Sequence, residues 1–139
     1  MKVFLYYIGK AKDPHANALA AEYMRRAAHY AVCRMAEIRP ERADFWTRHP
    51  TAKKVLLDPA GQSFSSRDMA ALVADAEMHG HDLVFVVGGH DGLPDTWRSR
   101  ADVLLSLSAA TLPHELARAV LAEQIYRAFT ILRGHPYPR

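Results

Sequence analysis

The chain has a single cysteine, Cys33, so no intramolecular disulfide can staple it. A thiolate zinc site, which gathers several cysteines, is excluded as well. Cys33 follows Tyr30, Ala31 and Val32, and in that company it reads as a small buried hydrophobe. One cysteine fits a reducing compartment. Long apolar runs are missing too. The opening Met1–Gly9 is too short for a signal-peptide core with its cleavage site, and far too short to cross a membrane. A cytoplasmic location with no membrane attachment is the expectation. Glycine is scarce, 7 residues in 139, and no glycines fall in the dinucleotide fingerprint or the phosphate-loop pattern. The nucleophile elbow G-x-S-x-G is absent, so no serine-hydrolase triad can be assigned. His114-Glu115 lacks a second histidine four residues after the first. His79, His81 and His90 have no ligand partners at useful spacing. No metal is expected.

What remains is a globular composition, half hydrophobic and 24% charged, of a length that suits one domain, residues 1–139. The net charge of +3 is unevenly spread. Residues 1–54 carry 11 Lys/Arg against 5 Asp/Glu; residues 55–97 carry 1 against 7; residues 98–139 carry 6 against 3. Basic ends around an acidic middle allow a phosphate-binding face.

Strand and helix patterns alternate, which predicts an α/β fold with a largely parallel sheet flanked by helices. Strands are predicted at Lys2–Ile8, Arg34–Ile38, Lys54–Leu57, Leu83–Val87 and Val103–Leu107. The run Leu83–Val87 is continuously apolar, as in a central strand buried on both faces. Asp58-Pro59-Ala60-Gly61 carries a turn signature. The first helix is expected to bury Leu19, Tyr23, Ala27 and Tyr30. The next is capped by Ser65 or Ser66, buries Met69, Leu72, Val73 and Ala76, and ends at His79-Gly80. Pro40–Thr51 reads as loop or short helix, and Asp95–Arg100 as a short helix. The longest helix spans His114–Leu132, before a stiff tail, Gly134–Arg139.

In open α/β sheets, ligands lie beyond the carboxyl ends of the strands. Three such ends stand out: Leu57–Gly61, Gly88–Gly92 and Leu107–Pro113. Their small residues let a ligand approach the backbone.

The segments FVVGGHDGL (Phe85–Leu93), LSLSAATLPHELARAVLAEQIYRAF (Leu105–Phe129) and HPY (His135–Tyr137) together resemble the SPOUT superfamily of RNA methyltransferases. Within it they look like its smallest branch, the ribosomal RNA large subunit methyltransferase H family. The opening KVFLYYIGKAKD (Lys2–Asp13) and EYMRR (Glu22–Arg26) fit that family's beginning. The resemblance implies S-adenosylmethionine-dependent methylation of N3 of a pseudouridine in large-subunit (23S) ribosomal RNA, on the assembled ribosome. It implies a C-terminal deep trefoil knot, and an obligate homodimer in which the partner chain completes each site. By the same resemblance, Leu57, Gly88, Gly89, Leu107, Ser108, Ala109, Ala110, Thr111 and Leu112 would hold the cofactor.

The chemistry constrains the rest. The methyl donor is already activated, so no metal is needed. An imide-like N3–H must lose its proton before it can attack, so catalysis is alignment plus proton removal. Candidates are Glu123, His135, Tyr137 and Arg139. Glu123 and Arg127 are also spaced for an i,i+4 ion pair. Histidine is the side chain suited to taking a proton near neutrality, and Tyr137 is suited to stacking on a base. Arg118, Arg127, Arg133 and Arg139, and separately Lys10, Lys12, Arg25 and Arg26, are candidate phosphate contacts.

Two departures from the family pattern stand out. The stretch Arg39–Lys53 is short, where the family usually has a charged helical segment. Pro138 follows the Pro-Tyr pair, where a histidine is common. Other readings stay open: a methyltransferase of this type acting on another RNA, a non-catalytic RNA-binding or ribosome-assembly protein on the same fold, and a generic nucleotide-binding module.

Overall fold

The computed structural model describes residues 1–138. Five parallel strands form one sheet in the order β2-β1-β4-β3-β5. They are β1 (Lys2–Ile8), β2 (Val32–Ile38), β3 (Lys53–Ser63), β4 (Leu83–Val87) and β5 (Val103–Ser106). Every residue of β4 is buried, as the apolar run Leu83–Val87 requires of the middle strand.

The helices are α1 (Pro14–Ala27), α2 (Phe45–Arg48), α3 (Ser66–His79), α4 (Asp95–Arg98) and α5 (His114–Arg133). The two faces of the sheet are covered unequally, because strand side chains alternate. Val3 and Leu5 of β1 and Leu83, Phe85 and Val87 of β4 pack under α1, α3 and α5. Tyr6, Val84 and Val86 point the other way, into a cluster with Phe45 and Trp97 from the short α2 and α4. A 3-10 turn at Pro40–Arg42 precedes α2, which resolves the ambiguous Pro40–Thr51 stretch into two short helical pieces.

Capping chemistry sets the helix ends. Ser65 accepts from the Asp68 amide while Asp68 accepts from the Ser65 amide, a reciprocal capping box. Asp13 does similar work for α1, accepting from the His15 and Ala16 amides.

Two expectations need correction. The buried face of α1 is Ala16, Ala20, Met24 and Ala27, while Leu19 is 45% exposed and Tyr30 lies beyond the helix. Ala16, Ala20 and Ala27 are small residues on the side of α1 that packs against α5, and Ala27 is the position that the expected and observed faces share. The Asp58–Gly61 turn does not end β3. Leu57 and Gln62 both register with Leu105, so residues 58–61 loop out and the strand resumes to Ser63. The Asp58 carboxylate accepts from the Ala60 amide at 2.8 Å and shapes that loop.

Candidate cofactor and RNA site

The carboxyl ends of β3, β4 and β5 open on one cavity of about 340 Å³. Small-molecule pockets run from about 300 to 1,000 Å³. Leu57, Gly88, Gly89 and the loop Leu107–Leu112 all line it. The structure therefore brings together the nine positions singled out for cofactor binding.

Each part of the lining has a local cause. After β4 the chain folds back in a tight hairpin, with Gly89 and Gly92 bridged. A Cβ on Gly88 would lie 2.7 Å from the Gly92 carbonyl carbon, and one on Gly89 would lie 2.9 Å from the Ile8 oxygen. Both glycines thus allow backbone to pass backbone. In the β5–α5 loop, the Ser106 hydroxyl donates to the Ser108 carbonyl (3.2 Å), and the Ser108 hydroxyl accepts from the Ala110 amide (3.0 Å). Among the described residues, the amides of Ala109, Thr111 and Leu112 have no hydrogen-bond partner. They are ready donors for a ligand. A cavity of this size, with small side chains and open amides, suits an adenosine moiety.

The catalytic candidates lie elsewhere on the chain. Glu123, His135 and Tyr137 do not line the cavity. The Tyr137 hydroxyl bonds to Glu123 Oε2 (2.9 Å) and Tyr23 Oη (3.1 Å), and its ring packs edge-on against Tyr126. Burial, then Tyr23 and Glu123, push the Tyr137 phenol well above its ordinary value, so it stays a donor. Glu123 accepts from Arg127 Nη2 (2.7 Å), Arg127 Nε (3.1 Å) and Gln124 as well. Arg127 Nη1 also donates to the Pro138 carbonyl at 2.6 Å. Glu123 and Arg127 thus form the anticipated ion pair and hold the tail against α5. The His135 side chain is exposed and makes no hydrogen bond among the described residues. Arg139 lies outside the described residues.

The basic candidates sort by partner. Arg25 and Arg26 pair with Glu22, and Arg133 pairs with Glu77. Arg118 is fully buried, which corrects its assignment as a phosphate contact. It donates to the Asn17 side chain and to the Ile8 and Gly9 carbonyls, and stacks 4.1 Å above the Tyr7 ring. Its neighbour Glu115 accepts from the Lys12 and Asp13 amides and from Asn17. Together they clamp the β1–α1 loop, residues 9–13, onto the start of α5. Lys10 and Lys12 on that loop are exposed, with no ion pair among the described residues. The motif placed Arg118 correctly in sequence, but only the topology shows that α5 passes beneath β1's end.

The cavity lining also includes Asp58, which the sequence marked only as part of a turn, and Arg98, which it did not single out. They are 40 positions apart, and Arg98 Nε stands 2.9 Å from Asp58 Oδ2. Among the described residues, no three His, Cys, Asp or Glu side chains gather as a metal site. No helix is long and apolar enough to cross a membrane.

A parallel sheet whose carboxyl-edge loops enclose a backbone-lined cavity defines an α/β protein with a candidate ligand site where such folds place one. The family model described as "Predicted SPOUT methyltransferase" matches residues 1–138. The chain is 63% identical over all of its length, and all of the relative's, to a Ribosomal RNA large subunit methyltransferase H of Solibacter usitatus. A protein of the same name from Thioalkalivibrio sulfidiphilus is 37% identical over 155 aligned positions, covering 100% of this chain and 99% of the relative. The SpoU methyltransferase AviRb of Streptomyces viridochromogenes, solved with AdoMet, superposes with a TM-score of 0.55 at 12% identity, over 94% of this chain and 61% of that one. The chain belongs to the SPOUT methyltransferase family.

Proposed function

We propose that residues 1–139 form a single domain that, as a cytoplasmic homodimer, methylates N3 of a pseudouridine in large-subunit ribosomal RNA on the assembled ribosome. The observation that carries this reading is the cavity, whose lining contains Leu57, Gly88, Gly89 and Leu107–Leu112 together. The relatives' printed names supply the RNA class. Bound in the cavity, S-adenosylmethionine supplies a methyl group already activated on its sulfonium.

The chain's own residues then align the base and move its proton. The Leu107–Leu112 loop offers amides to adenine and ribose, and Gly88 and Gly89 keep the backbone close. Tyr137, its hydroxyl proton held by Glu123, offers its ring for stacking on the base. Glu123 and Arg127 position it. Among the described residues, the free imidazole of His135 is the candidate that can accept the N3 proton. Lys10 and Lys12 meet phosphates.

Two copies are required in this reading. Glu123 lies six residues along α5 from the cavity-lining Ala117, about 9 Å at the helical rise. In this reading the tail of one chain reaches over the cavity of its partner. Exposed Leu19 on α1 and Leu116 on the adjoining α5 offer apolar surface for such a contact. The return of α5 from the β5 edge across to α1 is compatible with the knotted path.

The test is incubation of the purified protein with S-adenosylmethionine and ribosomes lacking the modification, followed by mass spectrometry of large-subunit RNA. The expected product is N3-methylpseudouridine on assembled ribosomes and little on naked RNA. A methylated nucleoside of another kind would redirect the substrate assignment. No methylation of either RNA by intact protein would overturn the enzymatic reading.

A further inference from the structure

The charge in the cavity lining is concentrated in Asp58, Asp95 and Arg98, with His114 as a further titratable group; the rest is neutral or apolar. Arg98 and Asp58 come from different elements, α4 and the looped-out part of β3, and meet at 2.9 Å. The Asp58 side chain is only 12% exposed, and its Oδ1 is fixed by the Ala60 amide. The Arg98 side chain is 45% exposed and forms no hydrogen bond among the described residues, leaving its terminal nitrogens as open donors. The pair thus sets a largely buried, fixed carboxylate beside a partly exposed guanidinium. Its place in the cavity wall calls for a ligand-facing role.

An adenosyl ligand of the kind proposed above has two chemically different ends. Adenine and ribose are neutral and suit the open amides of Ala109, Thr111 and Leu112. The other end is an α-amino acid, carrying a carboxylate and an ammonium side by side. Such a pair is costly to desolvate unless each charge meets its complement. A guanidinium matches a carboxylate through its planar fork, and a fixed carboxylate matches an ammonium.

We propose that the Asp58–Arg98 pair is the subsite for the α-amino-acid end of the cofactor, with Arg98 receiving the α-carboxylate and Asp58 the α-ammonium. Asp95, one helical turn before Arg98 on α4, also lines the cavity. The inference rests on the cofactor reading of the cavity and assigns it a specificity for adenosyl ligands with an intact amino-acid group.

Calorimetric titration with two probes tests it: S-adenosylhomocysteine, which carries the zwitterion, and 5′-methylthioadenosine, which lacks it. Arg98→Gln is expected to weaken S-adenosylhomocysteine by about tenfold or more, the scale of a lost charge-assisted contact, and leave 5′-methylthioadenosine within about twofold. Arg98→Lys should recover part of the loss, because it keeps the charge without the fork. An unchanged affinity for S-adenosylhomocysteine in Arg98→Gln overturns the subsite. Equal weakening of both probes overturns it too, since the effect would then be on the cavity as a whole. Wild-type protein that binds neither probe would sink the cofactor reading and the subsite together.

Discussion

The Tyr137 hydroxyl donates to Glu123 Oε2 across 2.9 Å and joins the C-terminal tail to the middle of α5. Tyr137→Phe removes that bond and the one to Tyr23, half-buried contacts worth about 1 kcal/mol each. The expected result is faster amide exchange in residues 135–138 and reduced methyl transfer with unchanged cofactor affinity. Equal loss of cofactor affinity would place the tail's role inside the cavity instead. The pH dependence follows from the raised phenol. A group that holds its proton more tightly in the folded state contributes stability below its ordinary value of 10.0, and loses it as the pH climbs above that point. Ultraviolet titration should therefore show Tyr137 ionising later than it does in Tyr137-containing peptides.

Arg118 and Glu115 form a second fastening, on the opposite side of α5's first turns. Arg118→Met leaves the Ile8 and Gly9 carbonyls without their buried donor, and is expected to cost about 3 kcal/mol. Chemical denaturation reads that loss directly. The Asp13, Lys12 and Asn17 hydrogen bonds bring the Glu115 carboxyl down to about 2 from 4.5. Its contribution is present above pH 4.5 and fades as the pH falls toward 2. Exchange of the 9–13 loop amides should rise across that window, and Glu115→Gln should flatten the response.

Gly88 and Ala109 both line the cavity, but substitution should affect them differently. Gly88→Ala places a methyl group against the Gly92 backbone at 2.7 Å, so it should lower the melting temperature as well as ligand affinity. Ala109 is exposed at the cavity wall. Ala109→Trp should abolish S-adenosylhomocysteine binding with the melting temperature unchanged. A large stability loss in Ala109→Trp would show that the loop is packed rather than open.

Burial pushes the Cys33 thiol up to about 11. At pH 8 it should react with a disulfide reagent far more slowly than a free thiol, and unfolding in denaturant should restore the ordinary rate. Prompt labelling of the folded protein would contradict the packing of β2.

Much of this architecture was legible because strand periodicity and helix caps are local. β1, β4 and the start of α5 lie where the apolar runs and Pro113 predict. The cavity-lining loop Leu107–Leu112 was legible because a long motif, Leu107–Ala128, carries a specific resemblance. What could not be read was long-range. No local pattern says that β3 resumes after its loop, because that depends on pairing with Leu105 and Ser106. None says that Arg118, on a helix with several charged positions, is the one turned beneath β1. The pairing of Asp58 with Arg98 could not be read for the same reason: only the sheet order places the ends of β3 and β4 side by side.

Both tryptophans of the chain, Trp46 and Trp97, belong to the thin aromatic layer formed with α2 and α4, whereas Tyr23, Tyr30, Tyr126 and Tyr137 cluster on the long-helix side. The two sides of the sheet thus carry different optical reporters. Indole emission follows only the thin layer, and helical circular dichroism follows mostly the thick one. Coincident melting curves from the two signals would mean that the sheet and both coverings come apart as one cooperative unit. An earlier indole transition would mean that the thin covering made by α2 and α4 peels away first, while the sheet and the long-helix side persist.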